Sequence, residues 1–426
     1  MSELERAADA PRAKVLLALL TAAYVLNFLD RQALAILVQP IQRELGVGDA
    51  RMGLLLGVSF TLAYTGAGLV VARWLDRGPR VAWLAGGLAL WSAMTMLAGA
   101  AANFAQLALT RIGVGLGESV CSPAAHSLLA DAFAPRRRAS AIAIYSSGIY
   151  VGITLAFLFG GDLSARLGWR GTLVALGAPG LLLALALLVL ARDPGRGRFE
   201  RVAPPGEERG FFAAFSELGR SRAWREMALG ASIKSIAGYA LISWSAAYLE
   251  RVHGLSTRES GAWLGLTNGV GGFCGALLGG LLADRLAARD ERWRLRVGAL
   301  ATLASIPFLY AFLFAPSANL ALLANLAGPL LGAMYLGPVF AVGQSLAPPQ
   351  LRARSSAALL FAINLIGLGV GPWLTGVLSE NFTPVHGAAS IRTALAIVGV
   401  SYAWGALHLW RASQALATSS PAHRRS

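Results

Sequence analysis

Charge is scarce in this sequence. Asp, Glu, Lys and Arg make up 14% of its 426 residues, where a soluble domain carries about 25%. Cysteine is scarcer. Cys121 and Cys274 lie far apart, each inside an apolar run, so they read as free buried thiols rather than a disulfide or a metal site. No Walker A sequence, H-E-x-x-H, G-x-S-x-G or Cys/His cluster occurs, which argues against an ATP-driven pump, a metalloprotease and a lipase, and against an enzyme of any kind. Acid is short relative to base, 22 residues against 37, for a net charge of +15. The basic residues are scattered singly between apolar blocks. That distribution fits membrane topology and not a nucleic-acid surface.

Apolar sequence is what abounds, at 56% of the chain. It comes in runs of about 20 residues, long enough to cross a bilayer as a helix. In lipid the backbone must satisfy its own polar groups, and a helix does so within one segment. Breaking the chain at charged and turn residues gives twelve candidate spans, numbered here in order: 15–38, 51–74, 81–101, 105–130, 138–162, 171–191, 226–249, 258–283, 297–315, 319–345, 354–378 and 391–411. The expected fold class is an all-α polytopic membrane protein. The first run is too long for a signal sequence, follows a segment of mixed charge and lacks a small-residue cleavage site, so span 1 is expected to be retained.

Lysine and arginine then orient the chain. With the N-terminus inside, 27 of the 37 fall in inside segments, 7 in outside segments and three within spans. Both termini are expected in the cytoplasm, with the protein in the cell (inner) membrane. The longest polar stretch, 192–225, is rich in Pro and Gly and reads as a cytoplasmic linker. It separates an N-terminal six-helix bundle, 1–191, from a C-terminal one, 226–426. A weak internal repeat supports this division: ARWLDRGPR follows span 2 and GLLADRL follows span 8, so Asp76–Arg77 and Asp284–Arg285 occupy equivalent places. Two such halves point to a secondary transporter.

Five ionisable side chains lie inside spans: Asp30 and Arg31 in span 1, Arg111 and Glu118 in span 4, and Lys234 in span 7. Each costs several kcal/mol at membrane depth unless paired or hydrated, and is a functional candidate by default. Asn27, Asp30, Arg31 and Leu34 share one helical face; so do Arg111, Gly115, Glu118 and Ser122. The opposite directions of spans 1 and 4 put Asp30, Arg31 and Arg111 in the outer half and Glu118 nearest the middle. Arg111–Asp30 and Arg31–Glu118 bridges are both geometrically possible. Arginine does not release its proton, so the carboxylates Glu118 and Asp30 are the proton-coupling candidates, with Arg111 and Asp30 taken as charge partners of Glu118. A static ion-pair cluster holding spans 1 and 4 together is the competing reading. Lys234, only about eight residues into its span, either contacts an anionic group or snorkels to the interface. Asn268, Asn325, Tyr335 and Asn364 are expected mostly to make packing hydrogen bonds, and His126 to pack near the inner end of span 4. The Gly148–Gly152 pair permits close helix contact.

The two loop sequences resemble the G-x-L-A-D-R-x-G-R motif of the major facilitator superfamily, the second copy more closely than the first, which has Ala72 and Gly78–Pro79 at variant places. The resemblance implies twelve helices in two pseudo-symmetric bundles, with Asp76, Arg77, Asp284 and Arg285 forming a cytoplasmic gate. Within that superfamily, NFLDRQALAILVQPIQREL in span 1, RIGVGLGESVCSPAAHSLLADAF in span 4 and RRRASAIAIYSSGIYVG leading into span 5 resemble the Spinster lipid transporters. That resemblance implies transport of lysophospholipids or sphingoid phosphates, driven by the proton gradient and without a cofactor. Asp30, Arg31, Arg111 and Glu118, with Asn27 and Lys234, would form the head-group and charge network. Membrane lipids and an amphipathic anionic small molecule are the expected partners, and the protein is expected to be a monomer. The second reading keeps the fold and carries small organic anions or sugar phosphates. A non-transporting receptor or scaffold is the third.

Overall fold

The computed structural model describes residues 11–199, 211–348 and 351–419; some side chains within its helices, those of Asp76 and Arg77 among them, lie outside the described residues. Every regular element described is helical. Spans 1, 3, 7 and 9 are single helices, Pro11–Ile36, Arg80–Ala98, Arg222–His253 and Trp293–Phe314. Spans 5 and 6 merge in Pro135–Leu190. A straight helix of that length would reach about 84 Å, far beyond a hydrocarbon core of about 30 Å. Gly168, at φ 68°, turns the chain in its middle. Such a left-handed backbone suits a residue without Cβ.

The remaining passages are interrupted. Span 2 is Asp49–Leu56 then Val58–Arg77; span 4 is Phe104–Glu118 then Cys121–Ala132; span 10 is Ala318–Asn325, Ala327–Ala333 and Leu336–Ser345. Span 8 (Thr257–Leu264, then Gly272–Ala287) passes through a π-helical stretch at Gly265–Gly271, and span 11 (Arg352–Ala362, then Gly369–His386) through one at Ile363–Leu368. π-Turns leave the regular i→i−4 ladder and recur at functional sites. Span 12 is Ser390–Gly399 followed by Ser401–Ser419. Seven helical stretches are apolar and long enough to cross a membrane; two of them are double-length, holding spans 5–6 and 11–12. The other three passages are spans 2 and 4, which are broken, and span 7, which carries Lys234. The chain is a multi-pass, all-α membrane protein.

Two compact units divide the chain, and they exchange short segments. One comprises the described residues of Met1–Val47, Ser59–Gly206 and Ser256–Gly265; the other those of Gly48–Val58, Glu207–Leu255 and Leu266–Ser426. In the first, span 1 lies along span 5, and a Cβ on Gly152 would stand 2.4 Å from the Val25 carbonyl oxygen, so only glycine allows that approach. The beginning of span 8 joins this unit, where Arg258 Nε lies 3.2 Å from Asp162 Oδ1.

At the arginine-rich end of this unit, the start of the linker folds back on the helix ends. Buried Arg80 donates to Asp131, Asp193 and Ser127. Arg196 donates to the Leu75 and Gly78 carbonyls that close span 2. The Gly197 amide donates to Asp131 Oδ1 at 3.0 Å. The hydrogen bond from Arg80, with that from the Gly195 amide, holds the Asp193 carboxyl below the usual carboxylate range.

In the second unit, the first turns of span 2 pack on spans 7 and 11. Asp49 accepts from Arg251 Nη1 and Nη2 at 2.7 and 2.6 Å and from Ser379 Oγ at 2.6 Å. Glu380 accepts from the Ala50 amide at 2.8 Å, serving an unpaired donor at that helix start. Trp224, Met227, Val339, Leu359 and Leu409 form part of this unit's core.

Candidate functional site

Span 1 and the first segment of span 4, Phe104–Glu118, bring the intramembrane charges of the first unit together. Asn27, Asp30, Arg31, Arg111 and Glu118 are all buried. Arg31 reaches one oxygen of Glu118 twice: Nη2 donates to Oε2 at 2.7 Å and Nε at 3.1 Å. Nη2 also lies 3.4 Å from Asn27 Oδ1, one helical turn earlier. The rings of Phe28, Phe60 and Tyr64 stand 4.9, 4.9 and 5.0 Å from its guanidinium carbon. Such faces stabilise a cation removed from water.

Of the two bridges open to the sequence, Arg31–Glu118 forms; among the described residues no ion pair joins Arg111 to Asp30 or to Glu118. Arg31 is therefore the directly bonded partner of Glu118, while Arg111 and Asp30 act on its charge at longer range. The cause is angular. Asp30 and Arg31 are neighbours about 100° apart on their helix, so only one of them can point at Glu118. Arg111 also stands 5.2 Å from the Phe60 ring centroid, so one aromatic side chain lies against two guanidinium groups. Span 2 supplies Phe60 and Tyr64 at i and i+4, a pairing that the sequence displays and that the charge-centred reading passed over.

Around this pair, among the described residues, Glu118 Oε1, Asp30 Oδ1 and Arg111 Nε lack a well-formed hydrogen bond, with Trp91 and Thr95 in reach of the Asp30 carboxyl and Asn27 in reach of Glu118. Buried polar atoms are normally paired, and an unpaired cluster is a reservoir for protons or polar ligands. Glu118 ends the helix Phe104–Glu118, just before span 4 breaks at Ser119–Val120. One of its oxygens is fixed by Arg31 and the other meets no cation, with the Asn27 side chain in reach. Four ionisable groups, two of each sign, can thus trade partners without a change in total charge.

Lys234 belongs to the second unit. It is 4% exposed and does not snorkel. Its Nζ donates to the Gly332 carbonyl at 2.6 Å, with the rings of Tyr335 and Tyr402 at 4.0 and 5.4 Å. Its helix runs Arg222–His253, and the side chain is turned into the unit rather than along the helix towards its charged first turn. Nearby, Tyr239 donates to Asn364 Oδ1 at 3.0 Å, and Asn325 donates to Thr267 Oγ1 at 3.0 Å. Both are helix-packing bonds of the expected kind. The His126 ring meets Tyr145 edge-on at 5.5 Å, yet His126 is exposed rather than packed away.

Of the expected gate residues, the side chains of Asp76 and Arg77 lie outside the described residues. Asp284 and Arg285 are exposed, and no ion pair among the described residues includes either. The loop after span 2 instead contributes Arg80, which the sequence reading counted only for topology. Its role depends on Asp131 and Asp193, 51 and 113 positions away, and no local pattern announces that. Cys121 and Cys274 are free thiols.

The family model for the Major Facilitator Superfamily matches residues 20–372. An MFS-type efflux pump of Mycolicibacterium smegmatis is 37% identical over 390 residues, which cover 91% of this chain and 90% of that protein. Protein spinster homolog 1 of Homo sapiens is 27% identical over 390 residues, 87% of this chain and 73% of that one. Among solved structures, a bacterial homolog of the human lysosomal transporter Spinster, in an inward-facing and unoccupied conformation, superposes with a TM-score of 0.86 at 31% identity, covering 97% of this chain and all of that one. The sequence match over most of the chain and the shared helical architecture agree: this chain belongs to the major facilitator superfamily, is similar within it to the Spinster proteins, and is a membrane transporter of small molecules rather than an enzyme.

Proposed function

We propose that the protein is a proton-coupled secondary transporter of amphipathic anionic lysolipids, working by alternating access. The observation that carries the coupling is the state of Glu118: one oxygen held by Arg31, the other bound to no cation, with only the Asn27 amide in reach, in the buried middle of the first unit. An anionic head group competes with Glu118 for Arg31. Displaced from its counter-ion, the carboxylate takes up a proton, because an unpaired buried charge is far costlier than a neutral acid. Release of the substrate returns Arg31 to Glu118 and expels the proton. Arg111 and Asp30 adjust the charge around this exchange, and Asn27 orients Arg31. Asp76–Arg77 and Asp284–Arg285 act as the latch at the cytoplasmic side. The protein sits in the inner membrane with both termini in the cytoplasm, in keeping with the 27-to-7 distribution of basic residues. Similarity to Spinster proteins and to an efflux pump supports an amphipathic substrate.

The test is uptake by proteoliposomes of a panel of lysophospholipids, sphingoid phosphates and sugar phosphates, with and without a pH gradient. Gradient-stimulated uptake of the lysolipids is expected. Uptake confined to sugar phosphates, or unaffected by the gradient, would overturn the proposal.

A further inference from the structure

The second unit contains a buried cation whose charge nothing beside it cancels. Lys234 gives one of its three N–H donors to the Gly332 carbonyl, and the Tyr335 and Tyr402 rings flank it. Among the described residues no other charged side chain borders it. A carbonyl and two π-faces ease the burial of an ammonium without neutralising it.

The space beside this ammonium is kept by small residues. A Cβ on Gly238 would find only Lys234 Nζ, at 3.8 Å, and the Tyr402 hydroxyl, at 4.0 Å. A Cβ on Gly332 would find only Lys234 Nζ, at 3.9 Å. The Tyr402 hydroxyl has no hydrogen-bond partner among the described residues, so spans 7, 10 and 12 converge on a point with a buried amine, a free hydroxyl and open room.

We propose that Lys234, Tyr402, Gly238 and Gly332 form a subsite for a singly charged oxyanion, a carboxylate, on the transported amphiphile. The inference rests on the transport reading above and narrows its substrate class. One ammonium balances one negative charge. A phosphate monoester brings about −1.5 to −2 at neutral pH and would leave an uncompensated negative charge in a buried place. The two donors, Nζ and the tyrosine hydroxyl, suit the two oxygens of a carboxylate. The competing structural role for Lys234 is to serve the carbonyl of Gly332 where span 10 breaks, which requires no ligand.

The full-length protein in phosphatidylcholine nanodiscs is titrated calorimetrically with octanoate, octyl phosphate and octanol, against empty nanodiscs. Wild type is expected to bind octanoate at least tenfold more tightly than octanol or octyl phosphate. Lys234→Met should weaken octanoate binding at least tenfold and leave octanol unchanged. Gly238→Ala places a methyl group beside Nζ without a clash, so it should keep the wild-type melting temperature while weakening octanoate; it carries the test if Lys234→Met fails to fold. No octanoate binding by wild type, unchanged binding in the variants, or preference for octyl phosphate would overturn the subsite. The titration is made at equilibrium without a gradient, so a failure of proton coupling would leave its outcome unaffected.

Discussion

Arg31→Met removes a guanidinium that holds one Glu118 oxygen through two hydrogen bonds, at 2.7 and 3.1 Å, and faces three aromatic rings. The Glu118 side chain is wholly hidden and Arg31 is its ion-pair partner. Removing one member of such a pair strands the other charge, a loss of about 3–5 kcal/mol. Glu118→Gln is milder. Arg31 keeps its rings and a neutral acceptor, so the loss is that of a charge-assisted hydrogen bond, about 1.5–3 kcal/mol. The double variant strands no carboxylate, and its loss should fall short of the sum by a coupling of about 1–3 kcal/mol. Unfolding in mixed micelles titrated with SDS measures all four corners of this cycle. Additivity within about 0.5 kcal/mol would refute the pairing that organises the first unit.

At the opposite end of the argument, Asp49→Asn should destabilise the protein by about 1.5–3 kcal/mol, since Asp49 accepts from both Arg251 Nη atoms and from Ser379. The same micelle titration checks it. For the linker, Asp193→Asn should speed hydrogen exchange of the Gly195 and Gly197 amides by loosening the Arg80 anchor. The pH dependence has a definite sign. Asp193 titrates below its unfolded value, so its contribution is full above about pH 4, the ordinary Asp range, and is lost as pH falls through the lower folded value. Protection of those amides should therefore persist at neutral pH and vanish only in acid.

The membrane passages were legible because lipid imposes a rule on every residue of a span: continuous apolar sequence, broken where charge or turn residues gather. Gly168 illustrates it, since a glycine in an arginine-flanked gap marks the turn between spans 5 and 6. The candidate charges were legible for the related reason that ionisable groups in lipid need a purpose. Partner choice was not. Arg31–Glu118 and Arg111–Asp30 were both possible, and that only the first forms depends on the rotation of span 1 against span 4, set by packing such as Gly152 against the Val25 carbonyl. The burial of Lys234 is not legible either, because it depends on Gly332, Tyr335 and Tyr402, which lie far along the chain on spans 10 and 12. Residues 48–58 join the second unit through Asp49–Arg251 and Ala50–Glu380, and residues 256–265 join the first through Arg258–Asp162, contacts between distant positions that leave no periodic trace.

Glu118 as the proton carrier is the central claim, and transport against external pH for wild type and Glu118→Gln tests it most directly. Glutamine keeps the shape and the acceptor facing Arg31 but cannot cycle a proton. The variant should fold and bind substrate, yet its transport should be low and flat across pH where the wild type responds to the gradient. Full transport by Glu118→Gln with an unchanged pH profile would contradict the account and reduce the Arg31–Glu118 pair to a structural tie between spans 1 and 4.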